Sequence, residues 1–196
     1  AYYPLNKISK IIVRGDSRVS AAKHLTLLSE NVAILCKRSR IINIDFFAHA
    51  QVISDLPDGN YFGDRTYFAP LYTVNDRYDS EIKTNFKSEF LNYMKNHLSV
   101  DIRKNSSEKQ EGEISTFDIF SYIYALLNSS LYTNRYWPQL KIDYPRIQFT
   151  NSTELFIQLA NYGNDLIAIQ TKKKICPLSS KIVYSCPEPV NKFKIS

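Results

Sequence analysis

The chain has 196 residues, of which 44% are hydrophobic and 13% aromatic, so it can bury a sizeable core. No run is long and apolar enough to span a membrane, and the opening AYYPLNKISK lacks the apolar segment of a signal peptide. Residues 1–40 hold eight basic and two acidic residues, and this excess equals the net charge of +6 of the whole chain. Such one-sided charge favours a polyanionic partner, above all nucleic acid.

The first 75 residues predict a small sheet with one helix. Four segments have the apolar or β-branched composition of strands: residues 2–13, 31–36, 44–54 and 65–74. The near-continuous apolar run at residues 31–36 is typical of a central strand, and Pro70 marks an edge or a bulge. A turn after Val13 leads into a helix that ends near Ser29, on which we expect His24 to be at the surface or half-buried.

Residues 115–147 are the most informative stretch. Ser115 and Asp118 have the spacing of a capping box, and the helix that follows should end near Asn128. One face of this helix is apolar: Ile119, Phe120, Ile123, Tyr124 and Leu127. An aromatic cluster able to support a small core follows: Tyr132, Tyr136, Trp137 and Leu140. Because a proline follows Tyr144, the chain should leave this unit in an extended conformation.

Two further helices are predicted on either side of this stretch. Residues 81–98 have the apolar stripe Ile82, Phe86, Phe90, Tyr93 and Met94. Residues 151–171 have the apolar stripe Leu155, Leu159, Tyr162, Leu166 and Ile169, after a capping box of Asn151 and Glu154. Gly163 should weaken this helix by about 1 kcal/mol relative to alanine. Residues 75–80 predict a polar break, and residues 99–113 are polar enough to predict a mobile loop.

These elements predict an α+β fold, in which a small mixed or antiparallel sheet lobe with one helix is followed by a helical lobe. We assign residues 1–76 to a β-rich basic lobe, 77–171 to a helical scaffold lobe and 172–196 to a C-terminal strand and tail. Three cysteines without a CxxC pair indicate a reducing compartment and argue against a zinc site: Cys36, Cys176 and Cys186. Cys176 and Cys186 could pair only if their strands meet.

The sequence shows no catalytic constellation. Its five glycines stand apart, so there is no Gly-rich loop for a phosphate or cofactor, and GxSxG is absent. Asp58 after Pro57, followed by Glu81 and Lys83, matches the loose pattern of metal-dependent nucleases. Glu81 and Lys83 fall at the start of a predicted helix, however, where that chemistry does not place them. We expect no catalytic residue, metal site or cofactor site here, and keep a nuclease as an alternative.

Seven basic residues are the candidate DNA contacts. Five come from the basic first part of the chain: Arg14, Arg18, Lys37, Arg38 and Arg40. Arg65 and Arg77 are second-rank candidates in polar loops between strands. Both side-chain types neutralise phosphates, and arginine also pairs bidentately with guanine in the major groove. A protein-interaction module with an incidental basic strip is a further alternative, which predicts weak, unselective and salt-sensitive DNA binding.

Residues 117–147, FDIFSYIYALLNSSLYTNRYWPQLKIDYPRI, also carry a family likeness. Eleven residues match the family pattern: Asp118, Tyr122, Ile123, Tyr124, Ala125, Leu127, Tyr132, Tyr136, Leu140, Pro145 and Arg146. Further similarity lies in NVAILCKR at residues 31–38, in YFAPLYTV at residues 67–74 and, less closely, in residues 2–25. In these stretches the chain resembles the C-terminal target-recognition domain of single-chain restriction-modification enzymes, the type ISP group and its type IIG relatives.

This resemblance implies that the chain selects a sequence in double-stranded DNA inside the bacterial cytoplasm. Parent enzymes of this kind carry an upstream adenine-specific methyltransferase domain that uses S-adenosylmethionine, and often a nuclease that would need Mg²⁺. The present chain lacks the cofactor loop and the Asn/Asp-Pro-Pro-aromatic motif of such methyltransferases, so the resemblance implies a recognition part without catalysis. Asp118, Tyr124 and Arg146 would then hold the helical lobe together.

Overall fold

A computed structural model describes residues 2–4, 11, 24–25, 28, 30–37, 50–55, 66–76, 79–103, 112–140 and 143–174. Four helices lie wholly within these residues: α1 Ser88–Leu98, α2 Thr116–Leu127, α3 Ser130–Leu140 and α4 Thr153–Gln170. His24 and Leu25 are helical too. This part of the chain also contains nine strands: β1 Tyr2–Pro4, β2 Ala33–Lys37, β3 Ala50–Ile53, β4 Thr66–Pro70, β5 Tyr72–Asp76, β6 Asp79–Thr84, β7 Asp101–Arg103, β8 Glu113–Ser115 and β9 Arg146–Gln148. The predicted α+β fold is confirmed. None of the described helices is long and apolar enough to cross a membrane.

The central sheet has the strand order β3–β2–β4 and is antiparallel throughout. The predicted central strand is confirmed, and Pro70 ends the neighbouring strand β4. Both faces of β2 are buried, because Ile34 belongs to the main core whereas Leu35 packs with Phe68 in a second, smaller cluster. Burial on both faces explains why this strand is a continuous apolar run and does not alternate with polar residues.

Three strand pairs surround this sheet. Strand β1 pairs antiparallel with β9, so the first described residues lie beside the strand that precedes α4. Strands β5 and β6 form an antiparallel hairpin, and β7 and β8 pair in parallel. The last pair lies at the two ends of the predicted loop at residues 99–113, where an ion pair of 2.9 Å joins Arg103 and Glu113. The ends of that segment are therefore ordered, and residues 104–111 lie outside the described residues.

Helices α2 and α4 pack against each other around an aromatic stack. The Tyr122 ring lies 4.7 Å from the Phe156 ring and 5.4 Å from the Phe149 ring. Its hydroxyl group donates to the Gln148 carbonyl and accepts from the Thr150 amide, which fixes the chain between β9 and α4. Burial raises the pKa of the Tyr122 phenol. Tyr122 is one of four buried residues of α2 outside the predicted apolar face, and the others are Thr116, Ser121 and Ala125.

The prediction for residues 115–128 is confirmed in detail. The Ser115 hydroxyl accepts from the Asp118 amide, and the Asp118 carboxylate accepts from the Ser115 amide, so both halves of the capping box are present. All five residues predicted for the apolar face are buried, and Asn128 ends the helix. The strong local signals in this stretch agree with one another and with the tertiary packing.

The helix predicted over residues 81–98 is wrong in its first seven residues. Residues 79–84 form β6, and the helix begins only at Ser88. Ile82, which was expected to be buried, is 48% exposed. Pairing with β5 overrides the helical spacing, because Tyr72 faces Thr84 and Val74 faces Ile82 across the hairpin. The predicted polar break at residues 75–80 is therefore the end of this hairpin.

The buried face of α4 is not the predicted one. Leu155, Tyr162, Leu166 and Ile169 are exposed, whereas Phe156, Ala160, Gly163 and Ile167 are buried. The helix is apolar on two adjacent faces, and the face with the small residues Ala160 and Gly163 is the one that approaches α2. The cap is also shifted by one residue, since the Ser152 hydroxyl and not Asn151 accepts from the Leu155 amide.

Helix α3 was not predicted as a helix. It begins directly after the break at Asn128 and Ser129, and it contains Pro138 within its last turn. Tyr132 and Leu140 are buried, as expected for the aromatic cluster, and the Tyr132 hydroxyl donates to the Arg146 carbonyl at 2.9 Å. The helix thus carries the predicted aromatic residues to β9. Polar residues at its start and a proline near its end hid the helical pattern.

Candidate nucleic-acid interface

Six of the seven candidate DNA contacts lie outside the described residues: Arg14, Arg18, Arg38, Arg40, Arg65 and Arg77. Lys37 is the exception, because the backbone of β2 ends at this residue. The structure therefore bears on the candidates through the strands to which they are connected. The register of the central sheet shows which ends of these strands lie side by side.

The antiparallel register of β2 and β4 brings two of the basic segments to one end of the sheet. Lys37, the last residue of β2, pairs with Thr66, the first residue of β4. Arg38 follows Lys37 directly in the sequence, and Arg65 precedes Thr66 directly. We call Lys37, Arg38 and Arg65 the basic end of the sheet. Arg40 lies three residues beyond Lys37 along the chain.

Arg77 follows a different described strand, β5. It is one of two residues that connect β5 to β6, since Asp76 pairs with Asp79 at the end of that hairpin. The hairpin begins at Tyr72, beyond the end of β4 that lies opposite Thr66. Lys37 and Thr66 are thus the paired described residues that are sequence neighbours of Arg38 and Arg65, whereas the neighbour of Arg77 is Asp76.

The sheet that carries the basic end is rigidly packed. Ile34, Leu35 and Cys36 are each at most 1% exposed, so β2 is buried up to the residue before Lys37. Burial raises the pKa of the Cys36 thiol to about 12, which keeps it protonated and unreactive at neutral pH. The expectation of a buried thiol is confirmed for Cys36, and Cys176 and Cys186 lie outside the described residues.

A buried hydrogen-bond hub at Asn31 fixes the opposite end of β2. The Asn31 side-chain amide donates to the carbonyl groups of His24 and Tyr72, each at 2.9 Å. Its side-chain oxygen accepts from the Val32 and Tyr72 amides at 3.0 and 3.1 Å. One buried side chain therefore joins the segment at His24, the start of β2 and the start of β5. This hub holds the sheet and the β5–β6 hairpin in a fixed arrangement.

His24 is buried, so the expectation of a surface or half-buried histidine is wrong. It is 1% exposed, and its Nδ1 accepts from the Val74 amide at 3.1 Å. The physical reason is that the imidazole lies against β5, a tertiary contact that residue spacing along a helix does not reveal. The role of Asn31 was also missed, although its place directly before a buried strand inside a family-like stretch was an available signal.

The residues of the alternative nuclease pattern do not all lie where the sequence predicted them. Glu81 and Lys83 lie in strand β6 and not at the start of a helix, while Asp58 lies outside the described residues. In the part of the chain that the structure describes, no three His, Cys, Asp or Glu residues are grouped to hold a metal ion. The prediction that this chain holds neither metal nor cofactor remains a prediction.

The remaining family-like residues form structural contacts in the helical region. Asp118 caps α2, Tyr124 is buried, and Arg146 forms an ion pair of 3.3 Å with Asp143. A largely apolar cavity of about 300 Å³ lies between α3 and the chain leading to β9, and seven residues line it: Tyr132, Tyr136, Gln139, Leu140, Asp143, Tyr144 and Arg146. These contacts stabilise the helical region.

Basic residues clustered in one segment of a chain are typical of nucleic-acid-binding modules. Residues 15–194 match the Type ISP C-terminal specificity domain, and because this match covers most of the 196 residues, the chain belongs to that family. No curated protein matches the chain. The resemblance inferred from the residues in α2, α3 and β9 is thus confirmed by the family match.

The solved structures similar to this chain include two that contain DNA. A DrdV–DNA complex matches with 26% identity and a TM-score of 0.53, over 72% of this chain and 12% of that one. The ATP-dependent Type ISP restriction-modification enzyme LlaBIII bound to DNA matches with 21% identity and a TM-score of 0.54, over 75% of this chain and 9% of that one. The present chain thus spans about a tenth of the length of each.

Proposed function

We propose that this chain recognises a specific sequence in double-stranded DNA for a restriction-modification enzyme. Membership of the Type ISP specificity-domain family carries the proposal, and the two similar structures, both solved with DNA, support it. The charge of residues 1–40, eight basic against two acidic, agrees with a polyanionic partner. Such work takes place in the bacterial cytoplasm.

Catalysis belongs to the rest of the parent polypeptide in this proposal. The upstream domains would hold S-adenosylmethionine for adenine methylation and, where the parent also cleaves DNA, Mg²⁺ for the nuclease. This chain contributes selection: its contacts decide which duplex is presented to those domains. The upstream methyltransferase domain is therefore its second partner, after DNA.

The basic end of the sheet is the proposed centre of the DNA interface. Lys37, Arg38 and Arg65 would neutralise phosphates, and the arginines could also pair with guanine edges. Arg14, Arg18 and Arg40 are proposed to extend this contact along the duplex, with Arg77 as a separate contact at the β5–β6 hairpin. The buried strand β2 and the Asn31 hub favour recognition, because fixed groups discriminate between bases better than loosely held ones.

Removal of two charges from the basic end should weaken DNA binding far more than removal of two charges elsewhere. For Arg38→Ala/Arg65→Ala we expect about a tenfold or greater loss of affinity at physiological salt. If both contacts are to phosphates, the slope of log affinity against log salt should fall by about two. Fluorescence anisotropy with a labelled duplex over a series of salt concentrations measures both quantities.

The matched control is Lys172→Ala/Lys173→Ala, which removes two exposed charges just after α4. This variant should keep the affinity and the salt slope of the unaltered chain within about twofold. Equal losses in the two variants would mean that net charge alone governs binding. In that case the basic end would not be the DNA interface.

A further inference from the structure

Helix α4 presents a second apolar stripe to the surface. Among the described residues seven large hydrophobic side chains are exposed, and five of them lie on this helix: Leu155, Ile157, Tyr162, Leu166 and Ile169. Tyr162 is the most exposed of these five, at 67%. Leu159, on the same line, is partly buried against the core. Exposed apolar side chains concentrated on one well-packed helix mark an interaction surface.

The spacing of this stripe identifies the kind of partner that fits it. Five apolar residues follow one another at steps of four, three, four and three, and we call them the outer stripe: Leu155, Leu159, Tyr162, Leu166 and Ile169. Steps that average 3.5 residues are those with which one helix packs along another. Along the helix itself the exposed neighbours Glu154, Gln158 and Asn161 carry no positive charge, which disfavours DNA or an anionic membrane as the partner. Asp165 is paired at 2.7 Å with Lys174, which lies just beyond the helix.

The size of the outer stripe argues for a tethered partner. Four of its five side chains are between 38% and 67% exposed. Such a stripe offers on the order of a few hundred Å² of apolar surface, less than the roughly 800 Å² that each protein contributes to a stable complex. A second, free copy of the chain would therefore bind weakly. A segment of the same polypeptide needs less contact area, because tethering raises its effective concentration to about the millimolar range.

The polypeptides similar to this chain are long enough to contain such a segment. This chain spans only 12% and 9% of the two DNA-bound chains to which it is similar, so polypeptides of this kind have a large remainder. A specificity domain also has to be held in a fixed orientation to the domain that modifies the selected site, because misplacement by about 1 Å lowers rates strongly. A packed helix along α4 would provide that orientation.

We propose that the outer stripe binds an amphipathic helix from the remainder of the parent polypeptide. The apolar residues of that helix repeat at steps of three and four, and they cover Tyr162 and its neighbours on α4. This inference rests on the proposed function, since it requires a parent chain that acts on the DNA selected here. It assigns α4 two roles, with one face against α2 and the other against the catalytic part.

Photo-cross-linking from Tyr162 in the full-length parent polypeptide tests this inference. A benzoylphenylalanine residue replaces Tyr162, the protein is irradiated without DNA, and mass spectrometry identifies the attached peptide. We expect a peptide from the same polypeptide but outside these 196 residues, with apolar residues at helical spacing. The same probe at Asn161, which is exposed on the same helix but outside the stripe, should give about a tenfold lower yield.

Three results would overturn the inference. These are a yield at Tyr162 no higher than at Asn161, a cross-link between two copies of the polypeptide, or a cross-link within the 196 residues. The parent carrying Arg38→Ala/Arg65→Ala separates this question from DNA recognition. It should lose DNA affinity and keep the Tyr162 cross-link, whereas a failed DNA proposal with an intact cross-link would leave the helix contact standing.

Discussion

Gly163→Ala is expected to lower the free energy of unfolding by about 3 kcal/mol. Gly163 lies in the middle of α4, where the sequence alone predicts that alanine would stabilise the helix by about 1 kcal/mol. The structure reverses the sign of this expected change in stability. A Cβ at this position would overlap the carbonyl group of Ser121 in α2 and come within 3.1 Å of the Ser121 Cα. Backbone atoms of a buried helix cannot move aside, so the two helices must separate.

Chemical denaturation of this variant measures the effect directly. Asn164→Ala is the matched control, because Asn164 is exposed, occupies the next position of the same helix and has no packing to lose. It should be neutral or stabilise the chain by a few tenths of a kcal/mol. A Gly163→Ala variant as stable as the Asn164→Ala variant would show that α2 and α4 do not approach each other this closely.

Asn31→Ala is expected to lower the free energy of unfolding by about 4 kcal/mol. The substitution removes four hydrogen bonds at once, with two carbonyl groups and two amide groups losing the same partner. The site is about 1% exposed, so water cannot replace those bonds without opening the sheet. Because the hub joins β2 to β5, we expect the substitution to destabilise the central sheet and the β5–β6 hairpin together, and not only the turn before β2.

Asn31→Asp distinguishes the hub from simple loss of volume. The carboxylate keeps the acceptor for the Val32 and Tyr72 amides but lacks the donors for the two carbonyl groups and adds a buried charge. It should be at least as destabilising as alanine. Asn92→Ala, at an exposed position of α1, should change stability by less than about 0.5 kcal/mol. Equal stability of the Asn31 and Asn92 variants would contradict the role of the hub.

Local signals predicted the parts of the fold in which several of them agree. At α2 the capping box, the apolar face and the polar stop all point to one helix, and that helix is present. At β2 a short, continuous apolar run predicted a central strand, and that strand is present with both faces buried. Where these signals were few or contradictory, pairing with another strand determined the secondary structure. Residues 79–84 have helical spacing but join β5 across a short hairpin, which sequence spacing does not reveal.

The face of α4 could not be chosen from hydrophobicity alone. Leu155 and Tyr162 on the outer stripe are more apolar or larger than Ala160 and Gly163, yet the small residues mark the contact with α2. Close helix packing requires small side chains, so the glycine that weakens an isolated helix was the informative residue. The apolar residues left outside are those that a second partner would cover.

The candidate DNA site was predicted only as a set of charges. Sequence showed that the first 40 residues hold the excess of basic groups, but it did not show which of them meet. The pairing of Lys37 with Thr66 joins the sequence neighbours of Arg38 and Arg65, which are 27 residues apart in the sequence, and it is the basis for proposing that these two arginines act together. Base preference depends on the geometry of side chains in loops, which neither charge nor spacing determines.

Selection of bound duplexes from a randomised pool is the most direct test of DNA target recognition by this chain. The selection is made at low and at moderate salt, with Arg38→Ala/Arg65→Ala beside the unaltered chain. We expect one enriched motif at both salt concentrations, because base contacts do not depend on counterion release, and loss of that motif in the variant. Binding without enrichment, abolished at moderate salt, would contradict target recognition and indicate an incidental basic strip.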